Sequence, residues 1–255
     1  MDEHTPEKEK AADDEVEETD QDELKALVLT KRDLALFKLV HEQRYLAFSH
    51  IKRAFWPDRS LPAKACYKRL TRLEKNGYLK QIYSKRKGLN LYLLTERSFQ
   101  EIKNEGLDSG VSLYKPTEYF DRYTGHDLKV ATIRILFQEL GLTEWTSERF
   151  IRAKTFGSRI PDGILKVRGQ KIAVELENFL TKGKKRYIDL FDFYKRRLDY
   201  FLVFMIISGD TKEWVIELNY NPQQVWIATY KELLEKKEEA LFENKRAHFT
   251  LARIL

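Results

Sequence analysis

The chain has 255 residues, with 46 Lys and Arg against 40 Asp and Glu and a single cysteine, Cys66. That length holds two ordinary domains, one cysteine excludes an intramolecular disulfide or a multi-cysteine zinc site, and no apolar run approaches the ~18 residues of a membrane-spanning helix. Residues 1–23 hold 12 acidic and two basic side chains, so the remainder carries 44 basic against 28 acidic and fits a polyanionic partner.

Residues 1–23 read as a disordered acidic tail, either a solubilising segment or a mimic of nucleic acid that restrains loose binding. An acidic start is unlike a signal peptide, so a cytoplasmic location with no membrane contact is expected. Residues 24–45 carry a helical pattern, with Thr30 and Asp33 spaced as a capping box. A short second helix follows Ser49 and stops at Trp56, before Pro57. A third helix starts at Ser60 or Leu61, with Pro62 in its first turn. Its Ala63, Cys66, Leu70 and Leu73 form one buried stripe, and Lys64, Lys68, Arg69, Arg72 and Lys75 fill the other faces. Asn76-Gly77 ends it.

Strands are expected over Tyr78–Tyr83 and Leu89–Leu94, joined by the basic tip Ser84–Gly88. Three helices and a hairpin with a cationic loop are the outline of a winged helix-turn-helix over residues 24–105. The run RLTRLEKNGYLK resembles the recognition-helix-to-wing junction of such domains. A helix fits the major groove of double-stranded DNA, where base edges are legible. The resemblance places Lys64, Lys68, Arg69, Arg72 and Lys75 toward DNA, and Lys85, Arg86 and Lys87 on its backbone or minor groove. Winged helices also serve as protein-binding modules and often dimerise, so a homodimer is a second partner to consider.

Thr95 caps a helix to Glu105, and residues 106–125 read as a linker. A helix is expected from Asp127, its N-cap, to Leu140, and His126 reads as structural. Thr143–Phe150 reads as a strand or strand and bend carrying Glu148. A hairpin follows: Ile164, Leu165 and Val167 lead into an Arg168-Gly169 turn, and Ile172, Val174 and Leu176 lead out. A two-residue loop there sets Asp162 opposite Glu175, with Glu175 and Glu177 sharing one face. Like charges in that arrangement call for a cation, either a divalent metal or Lys182, Lys184 or Lys185. A basic helix from Lys184 to Arg197, a buried strand over 201–207, an ambiguous 213–218, a strand over Val225–Thr229 and a helix over Tyr230–Ala240 complete the pattern. Residues 241–255 give no signal.

The PD hairpin with a following acidic pair resembles the PD-(D/E)xK nuclease superfamily. It implies an α+β chain in which the winged helix-turn-helix precedes an αβββαβ domain over residues 126–240. Asp162 matches the Asp of PD, and Glu175 matches the acidic residue of (D/E)xK. Glu177 stands where the pattern has Lys, so Lys182 or Lys185 would have to replace that lysine in an active enzyme. The same resemblance gives Glu148, Asp162 and Glu175 as ligands for Mg²⁺ or Mn²⁺ in a metal-dependent endonuclease or nickase. The order of winged helix, GHDLKVA, EWTSE, RIPDG and AVELE over Lys31–Tyr230 resembles the replication-relaxation family of bacterial plasmid and mobile-element proteins. That resemblance implies DNA binding linked to replication, mobilisation or transcription of such elements.

Overall fold

The computed structural model describes residues 27–57, 63–155, 159–177 and 183–255. The acidic tail, the start of the third helix and Lys182 lie outside them. Among the described residues the fold is α+β with two sheets.

The first unit begins with α1 (Lys31–Gln43), α2 (Phe48–Phe55) and α3 (Ala63–Lys75). The capping box forms as expected: the Asp33 carboxylate accepts from the Thr30 N–H at 2.7 Å, and the Thr30 hydroxyl accepts from the Asp33 N–H at 3.3 Å. At the end of α3, Gly77 has φ +70°, and the Tyr78 N–H reaches the Leu73 carbonyl at 2.9 Å. This double-bonded cap satisfies carbonyls that the helix leaves open. A three-stranded antiparallel sheet follows, from β1 (Leu46–Ala47), β2 (Leu79–Ser84) and β3 (Leu89–Leu94), in the order β1-β3-β2. α4 (Glu96–Asn104) closes over the core of Leu36, Phe37, Val40, Ile51, Leu70 and Leu73.

The second unit starts earlier than the sequence indicates. α5 runs from Phe120 to Glu139, so part of the expected linker is helix and Asp127 is a mid-helix residue rather than an N-cap. β4 (Trp145–Ser147) is short, and Glu148 opens α6 (Glu148–Lys154) instead of lying on a strand. β5 (Gly163–Val167) and β6 (Gln170–Glu177) form the expected hairpin. Arg168 and Gly169 both have positive φ, +49° and +82°, the geometry of a two-residue turn matched to strand twist. Gly163 pairs with Val174, the predicted register. Gly163 is glycine for lack of space, since a Cβ there would overlap the Trp145 ring.

α7 (Lys184–Lys195) crosses to β7 (Leu202–Ile207), which is parallel to β6. α8 (Lys212–Leu218) resolves the ambiguous segment as helix, and β8 (Val225–Thr229) pairs parallel with β7. α9 (Tyr230–Lys236) is shorter than expected. The C-terminal segment is part of this unit, because β9 (Leu241–Glu243) and β10 (His248–Thr250) extend the sheet. The sheet order is β10-β9-β8-β7-β6-β5-β4.

Alternation along the central strands sorts two cores. Val174, Leu176, Phe204 and Ile206 meet Ile133, Leu136 and Phe137 of α5. Ala173, Val203 and Met205 meet Tyr187, Leu190 and Phe191 of α7. α5 also belongs to the first unit, since its Ala131 and Ile135 complete the core around α1 and α3.

Candidate nucleic-acid interface

α3 has one solvent face. With Cys66, Leu70 and Leu73 turned inward, a helix places Lys64, Lys68, Thr71 and Lys75 on the opposite side. Lys64, Lys68 and Lys75 are exposed, and Tyr67 beside them is 60% exposed. Arg69 is not on this face. Its Nε donates to Asp33 Oδ1 at 2.9 Å and its terminal nitrogen donates to the Val28 carbonyl at 2.9 Å. Arg69 precedes Leu70 at the edge of the buried stripe, so its guanidinium folds back onto the α1 cap and is a structural cation. Arg72 is half-buried on the same flank.

The hairpin tip turns toward α5. The Ser84 hydroxyl bonds Asp121, the Arg86 N–H donates to Asp121 Oδ2 at 2.9 Å, and the Arg86 guanidinium donates to the Arg122 carbonyl at 3.0 Å. The Lys87 side chain lies over Gly125, where an added Cβ would meet Lys87 Cε at 2.9 Å. Lys85 is exposed. The tip and the first turns of α5 thus line one cleft of about 990 Å³.

The expected acidic cluster forms around the β5–β6 hairpin. Asp162 accepts from the Leu176 N–H at 2.8 Å and has His126 Nε2 at 3.3 Å. Burial opposes the charged imidazole, but Asp127 and Asp162 outweigh it and push His126 up to about 10. Glu175 is 6% exposed and accepts from the Tyr194 hydroxyl at 2.5 Å. Burial, then the nearby Asp162 charge, push its carboxyl up to about 8. Glu177 shares the α7 side of the strand, and its two oxygens take Arg186 nitrogens at 2.6 and 3.1 Å. Glu148 accepts from Arg44 at 2.7 Å and from Arg152 at 2.6 Å. Burial works against the charged form, yet the two arginines hold Glu148 below the usual glutamate range.

The cation that this cluster calls for is therefore supplied by the protein. Arg44 bridges Glu148 and, at 3.9 Å, Asp127. Its backbone φ of +74°, costly for a non-glycine residue, turns the chain just beyond α1. These partners do not fit a divalent metal. Glu148, Asp162 and Glu175 are oriented by Arg44, His126 and Tyr194, and among the described residues no group of three acidic, His or Cys side chains is placed to hold a metal ion. Lys185 does not stand in for the missing lysine, since it points outward to Asp189 at 3.2 Å. Lys182 falls outside the described residues.

The partners of the acidic cluster that sequence reasoning passed over are Arg44, Arg186 and Tyr194. Arg186 and Tyr194 had a readable signal: they follow one another at helical spacing behind the acidic hairpin. Arg44 had none, because its partners lie more than 80 positions away. No helix among the described residues is long and apolar enough to cross a membrane. Comparison with protein-family models, curated proteins and solved structures finds no match to this chain.

Proposed function

We propose that this chain is a double-stranded DNA-binding protein. In this reading α1–α3 and the β2–β3 hairpin act as a winged helix-turn-helix, and the second unit is a PD-(D/E)xK-like module. The observation that carries the reading is the solvent face of α3, where Lys64, Lys68 and Lys75 stand beside an exposed Tyr67. A cationic helix face suits the major groove, with the ammonium groups meeting phosphates or guanine edges. The order α5, β4, α6, β5, β6, α7, β7 supports the second assignment, with an antiparallel triple, interrupted by the short α6, followed by a parallel crossover. The sequence resemblance to replication-relaxation proteins supplies the setting: control of replication, mobilisation or transcription on a plasmid or other mobile element.

Hydrolysis has less support than binding. Each carboxylate that a metal-dependent endonuclease would use already has a cationic or hydroxyl partner in the protein. We read the cluster as a structural network that joins α1, α5, α6 and α7 to the hairpin.

The test is duplex binding by fluorescence anisotropy at low salt. Replacing Lys64 and Lys68 with Ala is expected to weaken affinity by roughly tenfold or more with the thermal midpoint unchanged. Unaltered affinity would remove the α3 assignment. Supercoiled plasmid with Mg²⁺ or Mn²⁺ is expected to stay intact. Nicked or linear product made by the wild type and lost in Asp162→Ala would overturn the non-hydrolytic reading.

A further inference from the structure

The cleft between the hairpin tip and α5 has features that duplex binding through α3 does not use. Tyr119 and Tyr123 are 62% and 57% exposed, although large aromatic side chains are usually covered. They are four residues apart across the start of α5, so they sit on one face of that helix, about 6 Å apart along its axis. The cations around them are Arg86 and Lys87 from the hairpin tip, Arg122 from α5 and Arg152 from α6. The carboxylates that also line the cleft are already countered: Glu148 by Arg44 and Arg152, Asp127 by Arg44 and the Tyr45 hydroxyl, Asp162 by His126. The excess positive charge thus lies along the rim, beside the two rings.

Gly125 adds an independent observation. Glycine inside a helix is unfavourable by roughly 1 kcal/mol relative to alanine, and Gly125 lies well inside the 20-residue α5. Its missing Cβ is what lets the Lys87 side chain lie against the helix, two residues on from Tyr123. Lys129, on the same side of α5, is held below the usual lysine range by burial and by the Lys87 charge. Its ammonium bonds the Ser208 hydroxyl and lies 5.2 Å from the centre of the Tyr230 ring.

We infer that this cleft binds a short single-stranded nucleic-acid segment, with bases stacked on Tyr119 and Tyr123 and phosphates met by Lys87 and Arg122. Stacking platforms combined with a cationic groove are how proteins hold single strands without reading their sequence. A volume of about 990 Å³ accommodates a few nucleotides but not a duplex. The inference does not depend on the α3 assignment, because the two surfaces share no residue.

The experiment uses the full chain and fluorescently labelled dT12, U12 and a 20-base-pair duplex, at one low salt concentration. Tyr119→Ala with Tyr123→Ala removes two exposed rings and is expected to leave the thermal midpoint unchanged. It should weaken single-strand binding by at least about tenfold and change duplex affinity less than twofold. Lys64→Ala with Lys68→Ala should do the reverse. The ratio of dT12 to U12 affinity tells whether the cleft prefers the DNA or the RNA strand, and loss of either in the tyrosine variant supports the site. Gly125→Ala should also weaken single-strand binding, by displacing Lys87. Three results would overturn the inference: no binding of dT12 or U12 by the wild type, equal binding by the tyrosine variant, or full displacement of the oligonucleotide by an equal nucleotide concentration of free dTMP.

Discussion

Glu175 shows how one side chain can be both a sequence signal and a structural cost. The PD hairpin register brings it to Asp162, and burial against α7 leaves Tyr194 as its hydroxyl donor. Its folded-state carboxyl is pushed up to about 8, above the usual glutamate value of 4.5. A group raised on folding favours the folded state fully below its unfolded pKa, and that advantage is lost as pH rises through the folded one. Between pH 4.5 and 8 the wild type therefore loses stability at this position. His126, raised to about 10, adds a loss of the same sign at higher pH. Glu175→Gln keeps the shape and the hydrogen bond to Tyr194 and cannot ionise. Its urea midpoint should vary less with pH than that of the wild type, and at pH 9 the variant should be the more stable by a few kcal/mol at most, roughly. A gap between the Glu175→Gln and wild-type midpoints that stays the same from pH 5 to pH 8.5 would contradict a protonated, buried Glu175.

At the scale of elements, the hairpins were legible and their surroundings were not. The β5–β6 register could be read because a two-residue turn and a period of two leave one solution. The stripe of Cys66, Leu70 and Leu73 likewise fixed which side of α3 is buried. Arg69 was misread because a helical pattern does not show that Asp33, 36 residues earlier, will take its guanidinium. The start of α5 was hidden by a polar first turn and by Gly125, which local propensity counts against a helix. TEWTSERF reads as a strand or a strand and bend carrying Glu148, whereas Ser147 ends β4 and the chain turns into α6. The hairpin tip was expected to be free for DNA, and it is anchored by Asp121 instead. Asp121→Ala removes the acceptor for both the Ser84 hydroxyl and the Arg86 N–H. Amide hydrogen exchange at Arg86 and Lys87 should then speed up by an order of magnitude or so, with β2 and β3 unchanged. Unchanged exchange at those two amides would show that the tip is held by something other than Asp121, such as the Arg86 bond to the Arg122 carbonyl.

At the scale of the whole molecule, the expected picture of two domains on a linker gives way to two units sharing one helix. α5 sends Ala131 and Ile135 into the core of α1 and α3, and Ile133, Leu136 and Phe137 against the large sheet. Polar contacts join the same surfaces. Arg134 meets Glu42 at 3.0 Å, His50 meets the Leu128 carbonyl at 3.0 Å, and Arg53 grips Glu139 through two bonds of 2.6 Å. Arg149 of α6 donates to the His41 carbonyl at 2.6 Å. The same Arg149 nitrogen lies 3.2 Å from His41 Nδ1, and burial and the Arg149 charge keep that imidazole down at about 4, so Nδ1 accepts as part of a neutral ring at ordinary pH. A helix that completes two cores couples their unfolding, because neither can lose α5 without exposing apolar surface of the other. Urea denaturation should therefore follow one transition, whether read by tryptophan fluorescence or by far-UV circular dichroism. Ile135→Ala cuts into the core of the first unit and should lower the stability of the whole by about 2–5 kcal/mol. The second unit should follow, which can be read from hydrogen exchange at β6 and β7. Two separated transitions, or Ile135→Ala protein whose β6 and β7 amides keep wild-type protection while the first unit opens, would show the units to be independent. Rigid coupling would in turn fix the α3 face relative to the Tyr119–Tyr123 cleft, so that the two proposed binding surfaces are held at a set distance.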